Sequence, residues 1–232
     1  MRSDSADPVD WSLYLVTDPV LGGGPDRVPA IVDAAVAGGV SIVQLRDKTA
    51  DATTFTARAA RLRDLLAGRG VPLFVNDRIP TALELGLHLH IGQDDMPYRQ
   101  ARRLLPETSM IGLSVETPAH LRAVARDIAD GVRPPDVLGI GPVRQTATKP
   151  DAAAPLGIGG FAELAAGAAR LGIPAVAIGA VRQDNAADLM HAGAAGICTV
   201  SAVMAAGDPR HAAHELRTLV DTTRVDPIRQ EN

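Results

Sequence analysis

The sequence predicts an α/β fold, a (β/α)8 or TIM barrel, and three features favour it. Eight short apolar runs alternate with eight longer amphipathic stretches along the 232 residues. The short runs are apolar at successive positions, which is typical of parallel strands that helices cover. No linker interrupts the alternation, so we expect residues 1–232 to form a single catalytic domain. An open, doubly wound sheet is the alternative.

The first unit has the pattern that the others repeat. Residues 12–17 (SLYLVT) form an apolar run that Asp18-Pro19 ends, because proline cannot donate a hydrogen bond to a strand ladder. Residues 25–38 then have helical spacing and end at Gly38-Gly39, where glycine is favoured after a helix. Strand and helix together form one β–α unit.

Seven further units follow in the same order. The predicted strands are the apolar runs at residues 40–46, 72–77, 87–92, 109–115, 136–140, 175–178 and 196–200. The predicted helices follow them and cover residues 51–67, 79–86, 98–105, 118–130, 159–171, 183–192 and 208–223. Residues 1–10 and 225–232 lie outside the pattern and are expected to be flexible ends.

The composition excludes several classes of protein. A hydrophobic fraction of 46% is globular, and a net charge of −4 with 3% aromatic residues offers nucleic acid neither a basic surface nor a stacking platform. Cys198 is the single cysteine, so no intrachain disulfide forms and a reducing compartment is favoured. The polar N-terminus is unlike a secretory signal, and no run reaches the ~20 apolar residues of a membrane helix. We therefore expect a soluble, cytoplasmic protein.

Polar residues follow the second predicted strand. Gln44, Arg46 and Lys48 are spaced by two, which places all three on one face of a strand, while Asp47 points the other way. In this fold the carboxyl ends of the strands form the active-site mouth. Two cations and an amide there suit a dense anion such as diphosphate. The alternative is that Lys48 has left the strand and is solvated.

The next two strands end in carboxylates. Asn76 and Asp77 end the third predicted strand, and Asp94 and Asp95 come just after the fourth. Carboxylate oxygens on neighbouring strand ends are ligands that Mg²⁺ prefers, so Asp77 with Asp94 or Asp95 is a candidate metal pair. Helix capping is the alternative for each, because both groups directly precede predicted helices.

Two further features point to phosphate. The stretch after the sixth strand contains Gly139, Gly141, Thr146, Thr148 and Lys149, which offer close backbone approach, hydroxyls and one positive charge, although such residues also form ordinary surface loops. The small residues Gly179 and Ser201 follow strands seven and eight, where this fold often binds phosphate. Two anionic subsites imply two phosphorylated substrates. Ser114 in strand five fits a helix cap and a ligand contact equally well.

These motifs together resemble those of thiamine phosphate synthases. The resemblance covers nearly all of the predicted barrel and rests on LYLVTD, QLRDK (44–48), VNDR (75–78), HIGQDD (90–95), IGLS (111–114), GPVRQTATK (141–149), AIGAV and TVS. It implies a transferase that joins hydroxymethylpyrimidine diphosphate to a thiazole phosphate, carboxylated or not, and yields thiamine phosphate and diphosphate. It also implies that diphosphate departs first and that the thiazole nitrogen captures the pyrimidine cation.

The resemblance assigns residues to each part of the site. The pyrimidine diphosphate would contact Gln44, Arg46, Lys48, Asn76, Ser114 and Lys149, and the catalytic groups among them would be Arg46, Lys48, Ser114 and Lys149. The thiazole phosphate would contact Thr146, Thr148, Gly179, Val200 and Ser201. Mg²⁺ would be held by Asp77 and Asp95.

The chain departs from the family pattern near the thiazole side. Ala180 stands where the family has a second glycine, so a positive φ there would strain the loop. Arg144-Gln145 replaces an apolar residue and proline, and Leu87 to His90 departs from the usual approach to strand four. Two other readings are a thiazole tautomerase, which needs neither Mg²⁺ nor a diphosphate cluster, and a barrel that binds thiamine precursors without turnover. The sequence leaves open whether the chain forms a homo-oligomer.

Overall fold

The sheet of this protein closes on itself. The computed structural model describes residues 9–146 and 153–225. Eight strands pair in parallel in sequence order, and the eighth pairs with the first. The strands are β1 (Leu13–Val16), β2 (Ile42–Leu45), β3 (Leu73–Asn76), β4 (His88–Ile91), β5 (Ile111–Val115), β6 (Val137–Ile140), β7 (Ala175–Ala177) and β8 (Gly196–Thr199). The predicted (β/α)8 barrel is confirmed, and the open sheet is excluded.

Helices lie between the strands in the predicted order. They are α1 (Val28–Ala37), α2 (Ala52–Leu66), α3 (Ile79–Leu85), α4 (Tyr98–Leu104), α5 (Pro118–Ala129), α6 (Gly157–Arg170), α7 (Gln183–His191), α8 (Ser201–Met204) and α9 (Pro209–Val225). A 3-10 turn over Pro25–Arg27 precedes α1. Across the described ranges, no helix has both the length and the apolar character needed to cross a membrane.

The differences from the predicted elements lie at their ends. The structure adds α8, which the sequence pattern missed because four residues are too few to display a helical period. The predicted helix over residues 25–38 begins as a 3-10 turn, and α6 begins two residues before its predicted start. The predicted strands include flanking residues such as Ser12 and Thr17, because the apolar pattern does not mark where a hydrogen-bond ladder stops. The predicted flexible ends fall almost wholly outside the described residues.

Apolar side chains fill two separate layers. Tyr14, Val16, Ile42, Phe74 and Cys198 belong to a cluster inside the barrel, whereas Leu13 and Leu15 pack into the layer between the strands and the helices. Successive residues of β1 therefore point to opposite faces, and both faces are buried. This explains why β1 is apolar at every position rather than at alternate ones.

Candidate functional site

Two adjoining pockets open at the carboxyl ends of the strands. The first, here called the charged pocket, is lined by polar residues at and just after the carboxyl ends of β2, β3 and β4, among them Gln44, Arg46, Lys48, Asn76, Asp77, Asp94 and Asp95. The second, here called the glycine pocket, is lined by Gly141, Thr146, Gly179, Ala180 and Ser201, among others. Both pockets share the wall formed by Ser114, Gly139, Ile178, Cys198 and Val200. Groups bound in the two pockets therefore face each other across one short boundary.

The cationic side of the charged pocket comes from β2 and its extension. Gln44, Arg46 and Lys48 all line the pocket, as predicted, but β2 ends at Leu45, so Lys48 lies beyond the strand in a bend and is exposed, as the alternative had it. Asp47 is buried and pairs with Arg58 of α2. Gln44 is only 3% exposed, and its Nε2 donates a hydrogen bond to Tyr14 Oη at 2.9 Å. The amide is thus fixed at the pocket floor, while the two cations stand nearer its mouth.

The carboxylate side comes from the segments after β3 and β4. Asp77 has a φ of 61°, a left-handed conformation that aspartate tolerates. Its backbone amide donates a hydrogen bond to His90 O at 3.0 Å. Asp77 does not cap α3, whose N-cap residue is Arg78 and has no side-chain cap bond. Asp95 Oδ2 accepts a hydrogen bond from Gly92 N at 2.7 Å. The capping alternative for Asp77 is therefore wrong.

The two carboxyl groups interact directly. Burial, a hydrogen bond with Asp95 and the negative charge of Asp95 raise the pKa of Asp77 to about 7, against the opposing influence of Arg46 and Lys48. Like charges this close cannot both ionise without cost, so one proton or one cation stabilises the pair. At neutral pH the pair can take up either.

Ser114 and His90 form the polar part of the shared wall. His90 Nε2 lies 3.1 Å from Ser114 Oγ, and Ser114 O accepts a hydrogen bond from Gln93 Nε2 at 2.5 Å. Thr117, and not Ser114, caps α5 by accepting from His120 N at 3.3 Å. Of the two interpretations of Ser114, helix capping is therefore excluded, and its hydroxyl faces the pockets.

Backbone conformation shapes the glycine pocket. Gly179 has a φ of 103°, and a Cβ there would lie 2.6 Å from Pro142 Cα, so only glycine fits. Ala180 follows with a φ of 50°, which means that the conformation suspected of straining an alanine is present. Asn185 Nδ2 donates to Ala180 O at 3.2 Å and holds the loop from α7. The loop after β6 packs on the same segment, with Val143 N donating to Ile178 O at 2.9 Å.

Comparison with known proteins identifies the family. The thiamine monophosphate synthase family matches residues 13–203, which include every strand and both pockets. This chain belongs to the thiamine monophosphate synthase family. Members of this family are transferases, and the motif resemblance is thereby confirmed.

Individual relatives of the synthase family agree. The thiamine-phosphate synthase of Chloroflexus aurantiacus is 46% identical over 217 residues, which cover 93% of this chain and 95% of the relative. The thiamine biosynthesis multifunctional protein ThiED of Corynebacterium glutamicum is 55% identical over 92% of this chain, but the chain spans only 28% of that protein. The solved structure of thiamine phosphate pyrophosphorylase from Pyrococcus furiosus has a TM-score of 0.79 and 31% identity, covering 93% of this chain and 98% of its own.

The described residues fit the Mg²⁺ that this synthase family implies. In the described ranges no group of three or more His, Cys, Asp or Glu side chains could hold a metal. Mg²⁺, however, is commonly bound by one or two carboxylates together with waters and substrate phosphate oxygens. Asp77 and Asp95 provide such a pair of carboxylates, and the pKa of Asp77 is raised. Arg46 and Lys48 line the same pocket.

Some residues that line the pockets were not predicted, and two predicted residues lie outside the described ranges. Tyr14, His90, Gln93 and Glu116 line the pockets in addition to the predicted residues. His88 and His90 alternate on one face of β4, so the sequence carried a signal for His90, whereas nothing marked which face of β1 Tyr14 occupies. Thr148 and Lys149, predicted to bind the thiazole phosphate and the diphosphate, lie outside the described residues. Cys198 is buried, as expected, and burial raises the pKa of its thiol.

Proposed function

We propose that this chain transfers the pyrimidinylmethyl group of hydroxymethylpyrimidine diphosphate, through its methylene carbon, to the nitrogen of a thiazole phosphate. The products are thiamine phosphate and diphosphate. The observation that carries the proposal is the common wall of the two pockets, which brings a diphosphate-binding surface and a phosphate-binding surface to one boundary. The five residues of this wall line both pockets, so substrates bound in the two pockets would be neighbours.

The charged pocket is assigned to the pyrimidine diphosphate. Arg46 and Lys48 bind the diphosphate, and Gln44, Asn76 and Ser114 hold the pyrimidine and its methylene carbon. The carbon–oxygen bond breaks with both electrons leaving on diphosphate, so the developing charge lies beside the two cations. Lys149 is assigned to the same diphosphate from its motif alone.

The glycine pocket is assigned to the thiazole phosphate. Thr146, Gly179, Val200 and Ser201 bind it, and Thr148 joins them from its motif. The thiazole nitrogen then donates its lone pair to the pyrimidine cation and forms the new carbon–nitrogen bond. No proton has to be removed from either reacting atom, which agrees with a site rich in cations rather than strong bases.

Asp77 and Asp95 would hold Mg²⁺ beside the diphosphate. When bound, the ion neutralises negative charge on the leaving group. The chain's own contribution is to keep the two carboxylates together and next to Arg46, so that the leaving group meets positive charge from both sides.

Product analysis with each substrate omitted in turn tests this function. The purified chain with both substrates and Mg²⁺ is expected to give thiamine phosphate by mass spectrometry, in an amount equal to the diphosphate released. A chain that binds both substrates but gives no thiamine phosphate contradicts the synthase function and leaves precursor binding. Rearrangement of the thiazole phosphate without the pyrimidine substrate would instead indicate a tautomerase.

A further inference from the structure

A buried carboxylate separates the two cations of the charged pocket. Asp47 lies between Arg46 and Lys48 in sequence, points away from the pocket and is only 4% exposed. It forms an ion pair with Arg58, which lies on the outer helix α2 and is itself 31% exposed along its side chain. We infer that the Asp47–Arg58 pair is a positioning device that holds Arg46 and Lys48 in their diphosphate-binding orientation. The inference rests on the proposed function.

The turn after β2 folds around the Asp47 carboxylate. Oδ1 accepts hydrogen bonds from Thr49 N at 3.0 Å, Thr49 Oγ1 at 2.9 Å and Ala50 N at 3.1 Å. Oδ2 accepts from Arg58 Nη1. These bonds hold the turn in one conformation, and Lys48 lies within the turn while Arg46 directly precedes Asp47.

The same segment is held at both ends. Thr17, which is fully buried, accepts a hydrogen bond from Arg46 N at 3.0 Å and donates to Arg46 O at 3.3 Å. At the other end Arg78 Nη2 donates to Ala50 O at 3.2 Å, and its guanidinium lies 5.3 Å from the Phe55 ring centre. With the ends fixed, the hydrogen bonds from Thr49 and Ala50 and the ion pair with Arg58 together hold the middle of the segment around Asp47.

Arg58 also keeps Asp47 from competing with the ligand. A buried carboxylate that loses its partner is strongly destabilised and seeks water or another cation. The cations adjacent in sequence are Arg46 and Lys48. Without Arg58, Oδ2 of Asp47 has no cationic partner, and its charge would be balanced by these two cations at the expense of diphosphate binding, so the outer helix acts on the site through this carboxylate.

Binding of inorganic diphosphate tests the inference directly. Calorimetry with Mg²⁺ and inorganic diphosphate is compared for the natural chain, Arg58→Gln, Arg58→Lys and the matched control Arg63→Gln, which breaks an exposed ion pair with Asp64 on the same helix. We expect Arg58→Gln to weaken diphosphate binding and raise the KM for the pyrimidine diphosphate about 10- to 100-fold, as loss of a supporting residue commonly does. Arg58→Lys should recover most of this loss, and the KM for the thiazole phosphate should change by less than about twofold.

Two results would overturn the inference. One is a folded Arg58→Gln protein whose diphosphate affinity equals that of the natural chain. The other is an equal rise in the KM of both substrates, which indicates general loss of structure rather than misplaced cations. Should Arg58→Gln fail to fold, Asp47→Ala removes the acceptor for Thr49, Ala50 and Arg58, and the same weakening of diphosphate binding is expected because the turn that carries the cations is no longer held. Because affinity is read without turnover, a natural chain that binds diphosphate yet makes no thiamine phosphate contradicts the proposed function alone.

Discussion

Asp77 and Asp95 share a hydrogen bond at the mouth of the barrel, although they follow different strands. This contact, together with burial, raises the pKa of Asp77 to about 7. The pair is therefore under electrostatic strain at neutral pH in the absence of a cation. A cation bound between the carboxylates, such as the proposed Mg²⁺, would relieve this repulsion. The repulsion should therefore be measurable as a change in stability.

Asp77→Asn is expected to stabilise the metal-free protein at high pH. The folded chain binds the Asp77 proton more tightly than the unfolded chain, so the contribution of Asp77 to stability is greatest below about pH 4 and is lost as the pH rises toward about 7. Asparagine removes this loss. At pH 8 we expect a gain of about 2–8 °C in Tm, corresponding to about 1–2 kcal/mol after allowance for solvent exposure, and no gain at pH 4. Thermal unfolding in chelator checks this, with the exposed carboxylate variant Asp64→Asn as control.

Mg²⁺ is expected to stabilise the protein in a pH-dependent way. The ion and the proton compete for the same carboxylates, so binding should be stronger at pH 8 than at pH 5.5. At about a hundred times the Kd, the ion should raise Tm by about 5–10 °C. Asp77→Ala should lose this increase, and NaCl of equal ionic strength should not reproduce it. Equal stabilisation of the natural chain and the variant would show that Mg²⁺ binds at a site other than Asp77.

Substitutions at Gly179 and Ala180 are expected to act in opposite directions. Gly179→Ala places a Cβ against Pro142 at a φ of 103°, and should lower the free energy of unfolding by about 1–3 kcal/mol and raise the KM for the thiazole phosphate. Ala180→Gly relieves a φ of 50°, and should raise the free energy of unfolding by about 0.5 kcal/mol after the entropy of glycine is subtracted. Urea unfolding measures both. A loss of stability in both variants would contradict the strain at Ala180.

Substitutions at Ser114 and Thr117 are expected to differ in effect: the first should lower activity and the second should lower stability. Ser114 faces the pockets beside His90, so Ser114→Ala should lower kcat/KM by about 100-fold with little change in unfolding. Thr117 caps α5, so Thr117→Ala should lower the free energy of unfolding by about 1 kcal/mol and leave kcat/KM unchanged. Steady-state kinetics and urea unfolding of the two variants test the assignment. Comparable activity losses in both would place Ser114 among the structural residues.

The sequence predicted the barrel and the residues that converge on its mouth, because both depend on local period and strand order. The spacing of Gln44, Arg46 and Lys48 was enough to place them on one face and Asp47 on the other. It could not predict that Arg58 pairs with Asp47, since that contact depends on how α2 packs against β2. The neighbouring strand ends predicted that Asp77 lies near Asp94 or Asp95, but the sequence could not predict that Tyr14 rather than Leu13 faces the barrel interior, because barrel closure decides it.

Diphosphate release with and without Mg²⁺ tests the central claim most directly. The natural chain with both substrates should release diphosphate and form thiamine phosphate in equal amounts, and both should stop when the metal is chelated. Asp77→Ala, shown to be folded, should lose most of this activity. Full activity of the chelated protein or of Asp77→Ala would contradict a synthase whose leaving group departs beside the metal held by Asp77 and Asp95.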